Sequence, residues 1–593
     1  MSDSLLAYFE QELRFIREEA AAFSQRHPGA ASSLGINKET VDDPQVARLI
    51  ESVALLNGKL QKRLDDAYPE FTESLLRLLF PHYLRPVPSF GILSIDVGDD
   101  ATAQHVIPKD TEFDVSDDNG HHAVFRTTQN VTLNPISLSG VDVAMAPFDI
   151  AKPRGAEQSK AMLAFCFSAF DEGMPLSTLS MSYIDLQMQG DPNLMLRLHD
   201  MVLSGIEQVI VSWDGGERIL GKDALEVVGF DNEQSTLPYL ASSFFGFKLL
   251  TEFFVFPERF HALRLNLGDA VKHIDAHSLT IKLFVEDLEV DVARAIDKSH
   301  FTLHSTPIVN LHRVVAEPAR IDFTQSSYPL TIDASNPNDL SLFSIVSVDD
   351  VDERGTTSVP ALYSDQYQAS KTGYRWQLSE RDTETGETEY RLKVTDTRNE
   401  SADSEPRTWL VTTLCSNGRR AAKLNTKSHI QCRETITIPG TARLSRRPTQ
   451  PAPKKDLQNS SWVLLSHLHF NYHAIFGAED PVTQLKSLFS LYNHHESQQI
   501  TAYINSLVAI DTEQVVAPIR VSGKSCFAYG TKISVTLNAN ELVGGIELFS
   551  HLLDRFFACF AGFNSFTQVD ILIEGQDGVF QAFPRRSGCK SLL

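Results

Sequence analysis

The stretch Phe80-Pro-His-Tyr-Leu-Arg-Pro-Val-Pro88 divides the chain into two parts with different hydrophobic periods. Its prolines lack the backbone donor that a helix needs, so they end any helix before them. On the N-terminal side apolar residues recur every three or four positions, which is typical of amphipathic helices. On the C-terminal side they alternate in short runs separated by Gly, Asp, Asn and Pro, as in antiparallel strands. The sequence therefore predicts an α+β protein, with a helical arm over residues 1–89 and mainly β structure after it.

The helical arm carries long apolar stripes. In its first helix the stripe consists of Leu5, Phe9, Leu13, Ile16, Ala20 and Phe23. A second helix starts at Asp43, which can cap free amides, and Pro44, which suits the first helical position. Its stripe consists of Val46, Leu49, Ile50, Val53, Leu56, Leu60 and Leu64 and is about 30 Å long. The arm either folds back on its own domain or lies against another protein, and the candidate contact residues are Phe9, Leu13, Ile16, Leu49, Val53, Leu56 and Leu60.

A second apolar seam lies near the C-terminus. Leu542, Ile546, Phe549, Leu553, Phe556, Phe560 and Phe563 follow a heptad-like spacing on one helix face. Their burial would contribute roughly 10–20 kcal/mol, more than the net stability of many domains, so the seam must be covered. A sheet of the same domain or a second copy of the chain could cover it. Phe549, Leu553, Phe556 and Phe560 are therefore further candidate partner-interface residues.

Composition suggests how the rest of the chain is organised. Strand-like runs, including Leu196–His199, fill a mainly antiparallel β domain over residues 90–335. A polar β-rich insertion over 336–445 contains an acidic loop, Asp349–Gly355, and a hairpin that turns near Gly386. A Pro-rich linker over 446–461 leads to a C-terminal α/β domain over 462–593, in which the apolar seam suggests a role in dimerisation. An apolar surface at each end predicts an elongated, multi-domain connector.

The charge and the N-terminus restrict the classes of partner. The 593 residues include 76 acidic and 53 basic ones, giving a net charge of −23. This charge repels nucleic acid and anionic membrane surfaces, so neither is expected as a partner. The N-terminus lacks a basic signal region, and no apolar run reaches the roughly 18–20 residues of a membrane span. Six scattered cysteines without a CxxC pair predict reduced thiols.

Motifs for catalysis or metal binding are incomplete. Ser522-Gly-Lys-Ser525 resembles the end of a phosphate loop, but Pro518 stands where that loop needs its first glycine. His467, His469 and His473 do not share one helix face, and a further ligand at metal-binding spacing is missing. The sequence therefore predicts no catalytic, metal-binding or cofactor-binding residues, no cofactor, and a protein that is not an enzyme.

Several longer motifs resemble one family along the whole chain. They include Leu6-x-Tyr-Phe-x-x-Glu-Leu13, Asp43-Pro-x-Val-x-Arg-Leu-Ile-Glu51, Pro81-His-Tyr-Leu-Arg-Pro86, Gly246–Phe260, Asn310-Leu311, Thr413-Leu-Cys-x-Asn417 and Leu553–Ala558. The set resembles the TssF (ImpG/VasA) family, baseplate subunits of the bacterial type VI secretion system. The chain departs from the family pattern in the residues after Asn417 and in a longer, more acidic insert at 376–408.

The resemblance implies a structural subunit of the baseplate wedge. It implies pairing of two copies of the chain with one TssG-like subunit, and TssK-like adaptors that link the wedge to the membrane complex. It also implies wedges around a VgrG-like spike hub, coupled to the sheath through a TssE-like subunit. The expected location is cytoplasmic, at the inner face of the inner membrane, where partners rather than direct membrane insertion hold the chain. The alternative is a non-enzymatic glycan- or ligand-binding β protein, which would explain the strands but not the apolar arm.

Overall fold

The computed structural model describes residues 3–35, 43–60, 84–239, 244–336, 339–352, 355–362, 373–382, 388–397, 405–453, 480–521, 524–562 and 565–588. The chain divides into two compact units. One contains Met1–Leu84 with Lys455–His469, and the other contains Arg85–Lys454 with Phe470–Leu593. In the part of the chain that is described, no helix has both the length and the apolar character that crossing a membrane requires.

The N-terminal unit is helical where it is described. Helix α1 spans Asp3–Arg26, α2 spans Pro28–Ser33, and α3 covers residues 44–60. The predicted start of α3 is confirmed, because the Gln45 N–H donates to the Asp43 carboxylate at 2.8 Å. Leu64, the last residue of the predicted stripe, lies outside the described residues.

The described residues of the first half of the β structure form eighteen strands, with two longer helices and one short helix between them. The strands are β1 Phe90–Val97, β2 His105–Ile107, β3 Glu112–Ser116, β4 His122–Thr127, β5 Val131–Leu133, β6 Ile136–Met145, β7 Ala161–Ala169, β8 Tyr183–Met188, β9 Ile206–Trp213, β10 Gly216–Ile219, β11 Leu225–Val227, β12 Ala262–Asn266, β13 Ser278–Val285, β14 Phe301–Thr302, β15 Ser305–Val309, β16 His312–Val315, β17 Ala319–Ile321 and β18 Ser327–Pro329. The helices are α4 Pro192–Gly205, α5 Phe245–Val255 and α6 Val290–Ala295.

The second half contains twelve strands and three helices among the described residues. The strands are β19 Ser341–Asp352, β20 Gly355–Ser358, β21 Tyr374–Asp382, β22 Thr388–Asp396, β23 Arg407–Ser416, β24 His429–Cys432, β25 Gly440–Leu444, β26 Leu507–Val521, β27 Lys524–Leu537, β28 Ser565–Ile573, β29 Gln581–Ala582 and β30 Arg586–Ser587. The helices are α7 Pro481–Tyr492, α8 Gln498–Ser506 and α9 Ile546–Ala558.

The first sheet joins distant parts of the chain, in the order β24-β3-β4-β15-β1-β25. Residues 429–444, which the sequence prediction places in the polar insertion, supply two of its strands. The Pro-rich segment continues beside β1, where the Thr449 N–H donates to the Phe90 carbonyl at 2.8 Å and Ala452 pairs with Val87. The described start of the predicted linker is therefore a strap held on the sheet.

Two further sheets enclose the largest described apolar core. Their orders are β10-β9-β13-β7-β6 and β11-β12-β8-β14. The prediction of a strand at Leu196–His199 is wrong, because these residues lie in α4. Asp191 caps this helix by accepting from the amides of Asn193 and Leu194, and Pro192 occupies its first turn.

Strands of the polar insertion join three strands that precede it, β16, β17 and β18, in two antiparallel sheets. Their orders are β16-β23-β19-β20, with β17 also on β23, and β18-β22-β21. The acidic segment Asp349–Gly355 was predicted to be a loop, and this is wrong over its described residues. Asp349 to Asp352 pair with Ser358 to Gly355 as the two arms of a hairpin. The predicted hairpin near Gly386 is confirmed in its strands, since β21 and β22 pair from Tyr374 to Asp382, while Gly386 itself lies outside the described residues.

The C-terminal region is an α/β layer. Strands β26 and β27 form an antiparallel hairpin, and β27 pairs in parallel with β28 through the α9 crossover. All other strand pairs between named strands in the described residues are antiparallel. The segment that resembles a phosphate loop falls at the β26–β27 turn, where Val521 pairs with Lys524.

The chain itself covers the C-terminal apolar seam. Phe549 contacts Tyr503 of α8 with ring centroids 5.1 Å apart, and Phe556 contacts Phe489 of α7 at 5.5 Å. Four predicted interface residues are at most 4% exposed, namely Phe549, Leu553, Phe556 and Phe560. Their assignment as partner-interface residues is corrected, because neighbouring helices of the same chain already remove them from water. Phe563 lies outside the described residues.

Candidate assembly interface

Helix α3 packs on α1 through its smallest side chains. Ala54 is fully buried, and a Cβ atom added at Gly58 would lie 3.1 Å from the backbone nitrogen of Phe9 and 3.2 Å from its Cα. Such distances leave little room for a larger residue, so glycine permits the two helix backbones to approach closely. Val46 and Ile50 of the predicted stripe are half-buried in the same unit.

The remaining apolar residues of α3 are exposed. Leu49 is 67% exposed, Val53 43%, Leu56 69% and Leu60 60%. At 3.6 residues per turn these four side chains lie within an arc of about 60°, on the side away from Ala54 and Gly58. We call them the Leu49 stripe. The predicted single stripe is thus divided into a packed part and a part that contacts solvent.

On α1 the candidates Phe9, Leu13 and Ile16 are half-buried. Sequence reasoning missed Phe15, which is 59% exposed and lies off the predicted stripe. Because Phe15 breaks the three-and-four spacing, periodicity assigns it to the polar face. A large aromatic residue on the polar face of α1 is the sequence signal that could have identified Phe15.

Two asparagines from the family-like motifs connect the first sheet to the polar insertion. The Asn310 side chain donates to the Val124 carbonyl at 2.7 Å and to the Asn417 side-chain oxygen at 2.8 Å. In return, the Asn417 backbone N–H donates to the Asn310 side-chain oxygen at 2.8 Å. The two asparagines thus satisfy the hydrogen-bonding groups of the backbone at this junction, which explains in structural terms why asparagine occurs in both motifs.

The motif Gly246–Phe260 contains a buried ion pair. Glu252 and Arg259 are nearly inaccessible to solvent and form a salt bridge. The Glu252 carboxylate also accepts from the Ser235 hydroxyl at 2.6 Å and from the backbone amides of Thr236 and Leu237, both at 2.9 Å. Burial lowers the pKa of the Arg259 guanidinium to about 9, which leaves it charged at neutral pH.

Arg259 completes this network on the opposite side. Its guanidinium donates to the carbonyls of Gly229 at 2.5 Å and Gln234 at 2.8 Å. The pair therefore fixes residues 229–237 against α5 and the following turn, Pro257–Phe260. A buried pair that binds backbone groups on both sides favours one arrangement of these segments.

A carboxylate of α4 caps the N-terminus of α9. Asp200 accepts from the amides of Gly545 at 2.6 Å, Ile546 at 3.2 Å and Glu547 at 3.0 Å. Burial raises the pKa of Asp200 to about 6, and these three amides oppose that rise. Gly545 has φ +88°, and a Cβ there would lie 2.0 Å from the Tyr503 hydroxyl. The Gly544-Gly545 pair of the sequence thus permits this junction.

Buried histidines lie near the same junction. His199 and His261 have ring centroids 6.5 Å apart, and burial lowers the pKa of both. Burial likewise lowers the pKa of His551 to about 3. Neutral imidazoles are potential metal ligands, but no group of three or more His, Cys, Asp or Glu suited to a metal ion occurs among the described residues. The motif His467, His469 and His473 lies outside them.

Fold and surface together define a multi-sheet protein whose described helical arm leaves an apolar face uncovered, an arrangement typical of subunits of larger assemblies. The chain belongs to the TssF family, since the family model described as "Type VI secretion system, TssF" matches residues 1–590.

Known proteins share both sequence and fold with the chain. It is 23% identical over 623 aligned residues to the type VI secretion system component TssF1 of Pseudomonas aeruginosa, with both chains covered completely. A chain in the structure of the type VI secretion TssK-TssF-TssG baseplate subcomplex matches with a TM-score of 0.73 and 22% identity, covering 91% of this chain and 98% of that one. A chain in the structure titled "The baseplate complex from the type VI secretion system" matches with a TM-score of 0.58 and 19% identity, covering 99% and 100%.

Proposed function

We propose that this chain is a structural subunit of the type VI secretion baseplate wedge. In this role it links TssG-like and TssK-like subunits around the spike hub and supports sheath assembly and contraction. The single observation that carries the proposal is the Leu49 stripe, an exposed apolar helix face in a TssF family member. The fold shared with a chain of a TssK-TssF-TssG subcomplex supports the choice of partners.

The Leu49 stripe has the chemistry of a helix that enters a groove or a shared helical core. Its apolar positions follow the spacing with which amphipathic helices anchor in apolar grooves. Completing the burial of four half-exposed aliphatic side chains would contribute roughly 4–8 kcal/mol. That contribution favours a TssG-like subunit that supplies its own apolar helices to a common core.

The proposed role depends on subunit contacts rather than bond chemistry in this chain. Contraction would follow from rearranged interfaces between rigid modules. We further propose a second copy of the chain, a VgrG-like spike and a TssE-like subunit as partners in the wedge. The proposed location is the cytoplasm, with docking at the inner membrane through the TssK-like adaptor. The family match favours this role over the glycan- or ligand-binding alternative.

Replacing both Leu49 and Val53 by aspartate should abolish co-purification of a co-expressed TssG-like subunit. Both side chains are largely exposed in this chain, so the change removes partner contacts without opening its own core. The matched control is Ser52→Asp combined with Asn57→Asp, which introduces the same two negative charges at exposed positions outside the stripe. Affinity purification of the full chain measures the bound partner, and circular dichroism checks the fold. Unchanged co-purification of the double variant would overturn the proposal.

A further inference from the structure

The β26–β27 hairpin extends beyond the strand beside it. Its arms pair continuously from Ala509 with Thr536 to Val521 with Lys524. Strand β28 pairs with β27 only from Tyr529 to Leu537, so the residues between Val516 and Ala528 project past the end of β28. The hairpin is therefore a two-stranded extension of the C-terminal sheet.

An apolar patch lies on one face of this extension. Val516 pairs with Tyr529, and Pro518 pairs with Phe527, so the four side chains share a face. Phe527 is 78% exposed, Tyr529 is 75% exposed and Val516 is 59% exposed, and Pro518 is exposed as well. We call these four residues the hairpin patch.

The hairpin patch continues the core face of the sheet. Ile533, Val535 and Leu537 lie on the same face of β27 and are fully buried, and Thr531 is 1% exposed. Two residues further along the strand, Tyr529 is three-quarters exposed. Helices α7 and α8 pack on β26 near its base, and α9 packs on β28. The helical layer therefore ends while the apolar face continues.

The opposite face of the hairpin is closed. The Phe566 ring lies over Gly530, where an added Cβ would meet it at 2.5 Å, and Ala517 and Ala528 are buried beside it. Because this opposite face is packed, the rest of the domain stabilises the two strands that carry the hairpin patch.

The width of the uncovered strip indicates what covers it. From Thr531 to Phe527 the strand advances about 13 Å at 3.3 Å per residue, close to the 10–12 Å diameter of a helix with its side chains. One helix therefore fits the strip, beside the helices that already pack on this sheet.

We propose that the hairpin patch docks the apolar face of one amphipathic helix of a different subunit. The helix would continue the layer formed by α7 and α8. The patch offers roughly 400–500 Å² on this side, given 150–250 Å² for a buried aromatic residue. A stable dimer needs about 800 Å² from each partner, so the patch suits an added contact within a larger complex rather than pairing of two copies.

Site-specific photo-crosslinking tests this proposal. The full chain carries p-benzoylphenylalanine at Phe527 in cells that assemble the complete secretion apparatus, with Val543, 68% exposed and outside the hairpin, as the control position. We expect an adduct at Phe527 whose partner peptide, mapped by mass spectrometry, is an amphipathic helical segment of another subunit. Tyr529→Asp should lower the yield about tenfold while co-purification of the TssG-like subunit stays unchanged.

Each other result would overturn the proposal. These results are an adduct with a second copy of the chain or with an extended segment, and a yield at Phe527 no higher than at Val543. Because the readout is independent of the Leu49 stripe, failure here is distinguishable from failure of the proposed function.

Discussion

Replacing Glu252 by alanine is expected to lower the free energy of unfolding by about 3–5 kcal/mol, the usual result of breaking a buried ion pair from one side. The change leaves the Arg259 guanidinium buried without its counterion. It also removes the acceptor of the Ser235 hydroxyl and of the Thr236 and Leu237 amides. Denaturant unfolding of the full chain, followed by tryptophan fluorescence and circular dichroism, measures the loss.

The matched control is Asp185→Ala. Asp185 forms a two-point salt bridge with Arg264 at 2.7 and 2.8 Å, but both partners are partly exposed. Water can replace this contact, so we expect a loss below about 1 kcal/mol. Equal losses of unfolding free energy in the two variants would show that burial does not make the Glu252–Arg259 pair more stabilising than the exposed pair.

Replacing Glu547 by glutamine is expected to stabilise the protein by about 2–4 kcal/mol at pH 8 and to have little effect at pH 4.5. Burial, with the Asp200 carboxylate as a second cause, raises the pKa of Glu547 from 4.5 to about 8. Between these values the folded state holds a proton that the unfolded state has released, so wild-type stability falls as the pH rises. Glutamine has a similar shape without the charge, and each pH unit corresponds to about 1.4 kcal/mol.

Unfolding midpoints of the wild type and the Glu547 variant at pH 4.5 and pH 8 measure this effect. Comparing them at each pH cancels the contributions of the buried histidines. Glu541→Gln, at an exposed position in the turn before α9, is the control and should shift the midpoints little. A variant less stable than the wild type at pH 8 would contradict the prediction.

Local signals predicted much of the fold. Asp43 and Pro44 located the start of α3, and the heptad-like spacing located α9 over its described residues. Alternation located most of the strands that it was applied to. It failed at Leu196–His199, where alternating leucines outweighed the Asp191-Pro192 start signal of α4. Over four residues the helical and strand periods are hard to distinguish, and the Asp191-Pro192 cap was the better indicator of secondary structure.

Long-range contacts could not be read from the sequence. Asp200 caps α9 by accepting from the amide of Gly545, which lies 345 residues later in the chain. Strand β1 lies between strands that end near residues 309 and 444. Periodicity indicates that a face must be covered but not what covers it, which explains why the sequence leaves both the same domain and a second copy as possible covers of the C-terminal seam. Periodicity likewise did not show which residues of α3 are covered within the chain. Small residues, rather than the leucines, pack on α1.

Hydrogen exchange over residues 44–60 tests the central claim most directly. The measurement compares the full chain alone with the same chain bound to a TssG-like subunit. If the Leu49 stripe enters a shared core, amides of α3 should exchange at least about tenfold more slowly in the complex, because opening the helix would then require breaking the interface. Equal exchange rates over residues 44–60 in the free and bound chain would contradict the account.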